Sequence, residues 1–141
     1  LVLDNNSRIS LSNNDSGTGN TVFGYLSGVS LASGGNYNCL FGHHAGNELK
    51  LADRNIVIGY NAMFDSYIDD TQDALTVDNI FIGNSSGSGT WVTAASHSNI
   101  GIGTNVMDAA MNGAIYNVAL GYNSLTSLTT GDHNTVAEQG I

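Results

Sequence analysis

Two adjacent histidines, His43 and His44, are the residues of this sequence best suited to binding a transition metal. Neutral imidazole is a common ligand of such ions. Neighbouring residues of a strand point to opposite faces, so the two rings of one chain could not bind a single ion together. In a symmetric trimer, one of the two could meet its symmetry copies on the axis and bind an ion there. The alternative is that both histidines are exposed or locally hydrogen-bonded.

A second candidate for ion binding is the acidic segment 63–78, which reads MFDSYIDDTQDALTVD. Carboxylate oxygens are among the ligands that Ca²⁺ prefers. The segment lacks the ligand spacing of an EF-hand, so a solvated acidic loop is the alternative, and we expect no cofactor to be required. Its aspartates are Asp65, Asp69, Asp70, Asp73 and Asp78.

Aromatic side chains in two segments are candidates for stacking on a sugar. Segment 86–97, SGSGTWVTAASH, carries the only tryptophan of the chain. An aromatic ring offers a large apolar face, and nearby Asn, Ser and Asp side chains supply hydrogen bonds. The predicted receptor-binding residues are Trp91, Tyr67, Asp69 and Asp70. Tyr37 is a further candidate, and packing between chains is the alternative for Trp91. For the tyrosines that follow the repeat glycines described below, packing between chains is favoured; these are Tyr25, Tyr60 and Tyr122.

Catalysis is not predicted. Residues 83–87, GNSSG, match the pattern G-x-S-x-G, but a nucleophile elbow leads from a strand into a helix, and Ser-Gly-Ser-Gly follows here instead. A polysaccharide-degrading enzyme of the tailspike type would need two carboxylates at a suitable separation on one face. The acidic residues cluster mainly in one segment, so this enzyme class is the least favoured hypothesis.

A unit of the form Asn-x-x-x-Gly recurs along the chain and must position these residues. It starts as NTVFG and ends as a degenerate NTVAE, with spacings of 18, 17, 24, 20, 18 and 17 residues. The repeat asparagines are Asn20, Asn38, Asn55, Asn79, Asn99, Asn117 and Asn134. The glycines four residues later are Gly24, Gly42, Gly59, Gly83, Gly103 and Gly121.

Each unit predicts a short strand between two corners. Asn tolerates the left-handed conformation and Gly accepts a positive φ, while the three residues between them are mostly apolar and often β-branched. The recurrent asparagines are expected to form an internal hydrogen-bonded ladder. Seven coils stacked at the ~4.8 Å inter-strand spacing would form a rod about 30 Å long.

Both faces of these strands are apolar. The third residue of each strand, such as Ile58, is predicted to lie in the core of the chain. The middle residue, such as Val57, points the other way, so that second face should be buried against a neighbouring copy. A second, weaker strand is predicted after each Gly, with a small residue such as Ala45 between the two walls of the coil.

The strings GNTVFGYLSG, RNIVIGYNAM and YNVALGYNSL resemble the head repeats of trimeric autotransporter adhesins of the YadA type, and also repeats of phage tail-fibre proteins. The resemblance covers about residues 19–141. It implies an all-β chain that forms a left-handed parallel β-roll or β-solenoid, assembled as an intertwined or side-by-side homotrimer. The two enlarged coils and the negative charge favour a tail fibre on a virion, attaching to a host glycan or protein, over the head of a bacterial surface adhesin.

Composition excludes several partners. The 141 residues include 18 Gly, no Pro and only 11% charged residues, with a formal net charge of −9. A negative chain is repelled by nucleic acid and by anionic membrane surfaces, and no run approaches the ~18 apolar residues of a membrane span. We expect residues 1–18 to form a leading strand and loop and residues 19–141 one solenoid domain, enlarged at 63–78 and 86–97. The chain reads as part of a longer polypeptide.

Overall fold

A computed structural model describes residues 9–10, 17–66, 76–91 and 94–137, and throughout these residues the chain is all-β, without a helix. Eight strands form one sheet in sequence order. The first pair is antiparallel, and the seven strands from the second onward are parallel and stack into a β-solenoid, as the repeat predicted. The strands are β1 (Ile9–Ser10), β2 (Thr21–Phe23), β3 (Cys39–Phe41), β4 (Ile56–Ile58), β5 (Ile80–Ile82), β6 (Ile100–Ile102), β7 (Val118–Leu120) and β8 (Thr135–Ala137).

Equivalent residues of successive strands pair with each other, so each strand position forms a row along the solenoid. Val57 pairs with Phe81, for example, and Ile58 with Ile82. We call the middle positions of β2–β7 the inner row and the first and third positions the outer face. The inner row is Val22, Leu40, Val57, Phe81, Gly101 and Ala119. The outer face is Thr21, Cys39, Ile56, Ile80, Ile100 and Val118 with Phe23, Phe41, Ile58, Ile82, Ile102 and Leu120.

The close approach of successive coils explains the glycine after each strand. Gly83 has a φ of 133°, in a region that disfavours any residue with a side chain. A Cβ built on Gly83 would lie 2.0 Å from the carbonyl oxygen of Gly103 in the next coil. A Cβ on Gly103 would lie 1.7 Å from the same atom of Gly121. A side chain at these positions would therefore push neighbouring coils apart.

The repeat asparagines form a hydrogen-bonded ladder inside the solenoid, as predicted. The backbone N–H and the side-chain Nδ2 of Asn55 both donate to Oδ1 of Asn38, at 2.9 and 3.1 Å. Nδ2 of Asn55 also donates to the carbonyl oxygen of Thr76 at 2.9 Å. The same contacts between side chains continue from Asn20 to Asn134. Because Asn55 is fully buried, the ladder satisfies polar groups that water cannot reach.

The corner beside the ladder differs from the prediction by one residue. A positive φ occurs at the residue before the repeat asparagine, with values of 59° at Tyr37 and 58° at Tyr116. The asparagine side chain is needed inside the coil, so the left-handed turn falls on its neighbour. We call these preceding residues the corner row: Gly19, Tyr37, Arg54, Asp78, Ser98, Tyr116 and His133.

The prediction of which strand face forms the core was wrong. Val57 and Phe81 of the inner row are completely buried, whereas the third-position residues Phe41 and Ile102 are 50% and 39% exposed. A coil of 17 or 18 residues has a narrow interior. The middle residue of a three-residue strand points into that interior, and alternation directs the two flanking residues outward. Among the described residues, no layer therefore covers the outer face.

The second strand predicted after each glycine is a turn instead. Its second and fourth residues have positive φ, as in Leu26 at 51° and Gly28 at 54°. Successive turns are still joined by backbone hydrogen bonds, and Gly28 N–H donates to the Ala45 carbonyl oxygen at 3.0 Å. The small residues at the third position of each turn are all fully buried and face the interior of the coil, as expected. They are Ser27, Ala45, Ala62, Ser86, Val106 and Ser124.

Candidate functional site

The outer face is the most prominent surface of the described residues. All of its side chains except Thr21 are apolar, and Phe41, Phe23 and Leu120 are 50%, 39% and 38% exposed. The rings of Phe23 and Phe41 stack with centroids 4.9 Å apart. Large contiguous apolar patches on a protein surface mark interaction sites. The outer face is therefore a candidate surface for assembly.

Trp91 is part of the core, so the prediction that it contacts a receptor is wrong. Its side chain is only 1% exposed, and Nε1 donates to the carbonyl oxygen of Gly87 at 3.1 Å. The indole packs edge-on against Phe81 with centroids 5.8 Å apart. The enlarged coil has room for a large side chain, and burying this ring removes much apolar surface from water.

The other predicted receptor-binding residues, Tyr67, Asp69 and Asp70, lie outside the described residues. Two aspartates of the same segment are described, and both have protein partners. Asp65 accepts a hydrogen bond from the Thr90 hydroxyl, and Asp78 forms an ion pair on the corner row. Within the described residues, no group of three or more side chains is arranged to hold a metal ion.

His43 and His44 do not point to opposite faces, as the sequence had suggested, because they lie in a turn. His44 has a φ of 58°, and the two ring centroids are 4.1 Å apart. His43 lies between Tyr25 and Tyr60, at 5.0 and 5.2 Å. Burial lowers the pKa of His44, and the charge of His43 lowers it further, so the neutral form of His44 is favoured. The pair is thus part of an aromatic stack along the turns.

The GNSSG string also lies in a turn rather than at the start of a helix. Ser85 has a φ of 52°, and its hydroxyl donates to Oδ1 of Asn84 at 2.9 Å. This arrangement lacks the strand-to-helix turn that exposes a catalytic serine.

A cleft of about 480 Å³ opens beside the corner row, where the two enlarged coils rejoin the repeat. Asp78 ends the first enlarged segment, His97 ends the second, and Tyr116 belongs to the following coil. The cleft is lined by Val77, Asp78, Ala95, His97, Ser98, Gly113, Ile115 and Tyr116. We call it the corner cleft.

Two of its aromatic side chains meet at a right angle. The rings of His97 and Tyr116 have centroids 5.5 Å apart and an interplanar angle of 88°. His133 of the next coil lies 5.0 Å from the Tyr116 ring on the other side of the stack. Nδ1 of His97 lies 3.1 Å from Oγ of Ser98. These contacts fix the aromatic wall of the cleft while Tyr116 remains 50% exposed.

The acidic wall of the cleft is held by Arg54. Its Nε and Nη2 donate to Oδ1 and Oδ2 of Asp78 at 2.7 and 3.1 Å. These hydrogen bonds lower the pKa of Asp78, so its carboxylate is ionised and oriented. Nη1 of Arg54 also lies 3.7 Å from Oδ2 of Asp53. The guanidinium is thereby shared between two carboxylates.

The sequence contained one signal for the cleft that was not used. The corner row shows a small Ser98 between Asp78 and Tyr116, and a small residue between two larger ones in a stacked row leaves a gap. This signal appears only when equivalent coil positions are aligned. The burial of Trp91 had no such signal, because the residues eight positions after other repeat glycines include the buried Met111 but also Lys50 and the exposed Thr129.

No protein-family model, curated protein or solved structure matches this chain. None of the described residues belongs to a helix able to cross a bilayer.

Proposed function

We propose that this chain is a non-enzymatic structural and receptor-binding segment of a phage tail fibre, and that it works on the virion as a homotrimer. The observation that carries the proposal is the outer face. It continues through six strands, a length of about 24 Å at the usual inter-strand spacing.

Burial of this face explains why it is apolar. Residues such as Ile82 and Ile102 lose contact with water only if another layer covers them. A second copy presents the same straight rows, and cyclic packing of identical faces closes an assembly without leaving apolar surface exposed. The resemblance of the repeat to trimeric adhesins and fibres favours three copies.

The two enlarged coils support a role in attachment. Insertions in a solenoid map to loops on one face, often the binding face, while the repeats keep the scaffold regular. Trp91 departs from this rule, because it packs in the core. Here both enlarged segments return beside the same corner cleft, next to the outer face but not within it. Scaffold and recognition surface are therefore separate parts of one coil stack, as an attachment fibre requires. A net charge of −9 disfavours nucleic acid as the partner.

Sedimentation equilibrium of the purified chain tests the proposal. A mass three times that of one chain is expected at micromolar concentration, and a monomer that persists at high concentration would overturn it. The gene sequence that follows Ile141 distinguishes the two fibrous alternatives. A chaperone domain supports a tail fibre, whereas a membrane-anchor barrel assigns the chain to a bacterial adhesin.

A further inference from the structure

We propose that the corner cleft binds one neutral sugar residue of a glycan, with Tyr116 as the aromatic wall and Asp78 as the principal hydrogen-bond acceptor. The inference rests on the proposed function in attachment and names the site and the ligand class. In this proposal the ligand contacts residues that border the enlarged segments and not Trp91, which is buried.

The size of the cleft follows from the corner row. Asp78, Ser98 and Tyr116 occupy equivalent positions in three successive coils. Asp78 and Tyr116 are therefore separated by two inter-strand spacings, or about 9.6 Å. The short side chain of Ser98 leaves the space between them open. A pyranose ring in van der Waals contact, at ~4 Å, with the part of Tyr116 that His97 and His133 leave exposed would place its hydroxyls within reach of the Asp78 carboxylate.

The cleft has apolar and polar walls, which match the C–H groups and the hydroxyls of a sugar. The Tyr116 ring, with Val77 and Ile115, supplies apolar surface for the C–H groups of a pyranose. Asp78 and the Ser98 hydroxyl supply polar atoms for its hydroxyls. Small-molecule sites combine apolar walls with a few polar groups in this way.

Asp78 is oriented to accept hydrogen bonds from a ligand. A carboxylate has about four acceptor positions, and Arg54 uses one on each oxygen. Among the described residues, no other side chain donates to the remaining positions, which sugar hydroxyls could use, and the lowered pKa of Asp78 keeps them as acceptors. The Arg54 contacts also limit the rotation of the carboxylate, so less conformational entropy is lost when a ligand binds.

The charge around the cleft favours a neutral sugar over an acidic one. Two cations act on Asp78, Arg54 and, more weakly, His97, and Arg54 already faces the carboxylates of Asp53 and Asp78. A sialic acid or uronic acid would bring a further carboxylate beside Asp78, which lines the cleft, within a chain of net charge −9. Neutral hexoses and N-acetylhexosamines carry no such penalty.

Nuclear magnetic resonance titration of the assembled chain tests the proposal. The probes are the methyl glycosides of glucose, galactose and N-acetylglucosamine, with the methyl glycoside of sialic acid as the anionic comparison. At least one neutral glycoside is expected to shift the resonances of Ser98 and Tyr116 with a millimolar dissociation constant. Tyr116→Ala should weaken that binding by about tenfold, the loss expected for one aromatic contact.

Two matched variants separate the cleft from the rest of the surface. Tyr37→Ala removes another corner-row tyrosine, 63% exposed and outside the cleft, and should leave binding unchanged. Ser98→Tyr fills the gap and should abolish binding. It should also fold, because Tyr37 and Tyr116 already occupy this row with φ of 59° and 58°, and Ser98 has 58°.

The proposal is overturned if no neutral glycoside binds, if sialic acid binds more tightly, or if Tyr37→Ala weakens binding as much as Tyr116→Ala. Sedimentation of the same samples measures their oligomeric state, so that a failure of sugar binding can be distinguished from a failure of the proposed function. A trimer that binds none of the sugars rejects the cleft alone, whereas a monomer that binds them rejects the fibre assembly alone.

Discussion

On the inner row of the strands, side-chain volume changes abruptly from one coil to the next, and Gly101 lies directly beside Phe81. On the outer face the same strands carry Ile100 and Ile102 beside Ile80 and Ile82, with almost no change in volume. The inner row fills a closed interior whose shape differs from coil to coil. The outer face forms a regular surface that an identical copy can meet. The two apolar sides of one strand therefore differ in their surroundings: one faces the closed interior, and the other is a regular exposed surface.

The packing of Phe81 shows how closely the inner row is matched. A Cβ added to Gly101 would lie 2.6 Å from two atoms of the Phe81 ring. The opposite part of the coil is filled by Trp91, whose ring meets Phe81 edge-on. The absent side chain at Gly101 is therefore what lets Phe81 occupy the interior.

The largest expected effect comes from placing a charge on either side of one strand. Val57→Asp puts an unpaired carboxylate in the closed interior, and we expect loss of folding, seen as loss of the β signal in circular dichroism at every protein concentration. Ile58→Asp, one residue away on the outer face, should keep the β signal but sediment as a smaller species. If both variants unfold alike, the two faces are not separable and a single chain has no stable fold.

Removal of Trp91 is expected to have the next largest effect. Trp91→Ala leaves a cavity beside Phe81 and should lower the free energy of unfolding by about 3–5 kcal/mol. Chemical denaturation at one fixed chain concentration measures this, because the proposed assembly would make stability depend on concentration. Tyr37→Ala, which removes an exposed aromatic ring, should change stability by less than ~1 kcal/mol. Equal losses in the two variants would place Trp91 outside the core.

The ladder can be compared with a surface asparagine of the same coil. Asn79→Ala removes the acceptor for Asn99 and the donor to the Ser96 carbonyl oxygen, leaving buried groups unpaired. We expect a loss of about 3 kcal/mol in the free energy of unfolding. Asn84→Ala removes an exposed acceptor for Ser85 and should cost less than ~0.5 kcal/mol. Thermal denaturation of both variants checks the difference, and similar midpoints would argue against a stabilising ladder.

The smallest effect concerns pH and the exposed pair of Arg54 and Asp78. The folded-state pKa of Asp78 lies below its unfolded value of ~3.9, so the pair contributes its stabilisation above that value. The contribution is lost as pH falls through the folded pKa. Asp78→Asn should therefore lower the melting temperature slightly at pH 7 and leave it unchanged near pH 2. A difference that grows on acidification would contradict this sign.

The stacking of strands could be predicted from the sequence, because Asn-x-x-x-Gly recurs with intervals close to the length of one coil. The orientation of the strands could not, because alternation identifies two faces but does not say which is enclosed when Val57 and Ile58 are both apolar. The two faces differ in how much the side-chain volume varies from coil to coil. The inner row changes from Phe81 to Gly101, whereas the outer face of β4, β5 and β6 is isoleucine throughout.

The turns and Trp91 were harder to predict for a related reason. Positive φ at Leu26 or Met63 is uncommon for residues with large side chains, so their segments read as extended. Trp91 lies in a segment whose length departs from the repeat, which suggested a surface loop. Its burial depends on contacts with Phe81 and on the space left by Gly101, and these involve residues up to 20 positions apart in the chain.

The asparagine ladder also gives the rod a direction and a unit of length. Each side-chain oxygen receives the backbone and side-chain N–H groups of the following asparagine, as Asn99 receives Asn117, so the amide dipoles align head to tail. Every rung is chemically the same, and a coil contacts only its immediate neighbours. Duplication or deletion of one 17- or 18-residue coil would change the rod by about 4.8 Å while the outer rows stay continuous. Length can therefore evolve as a whole number of coils.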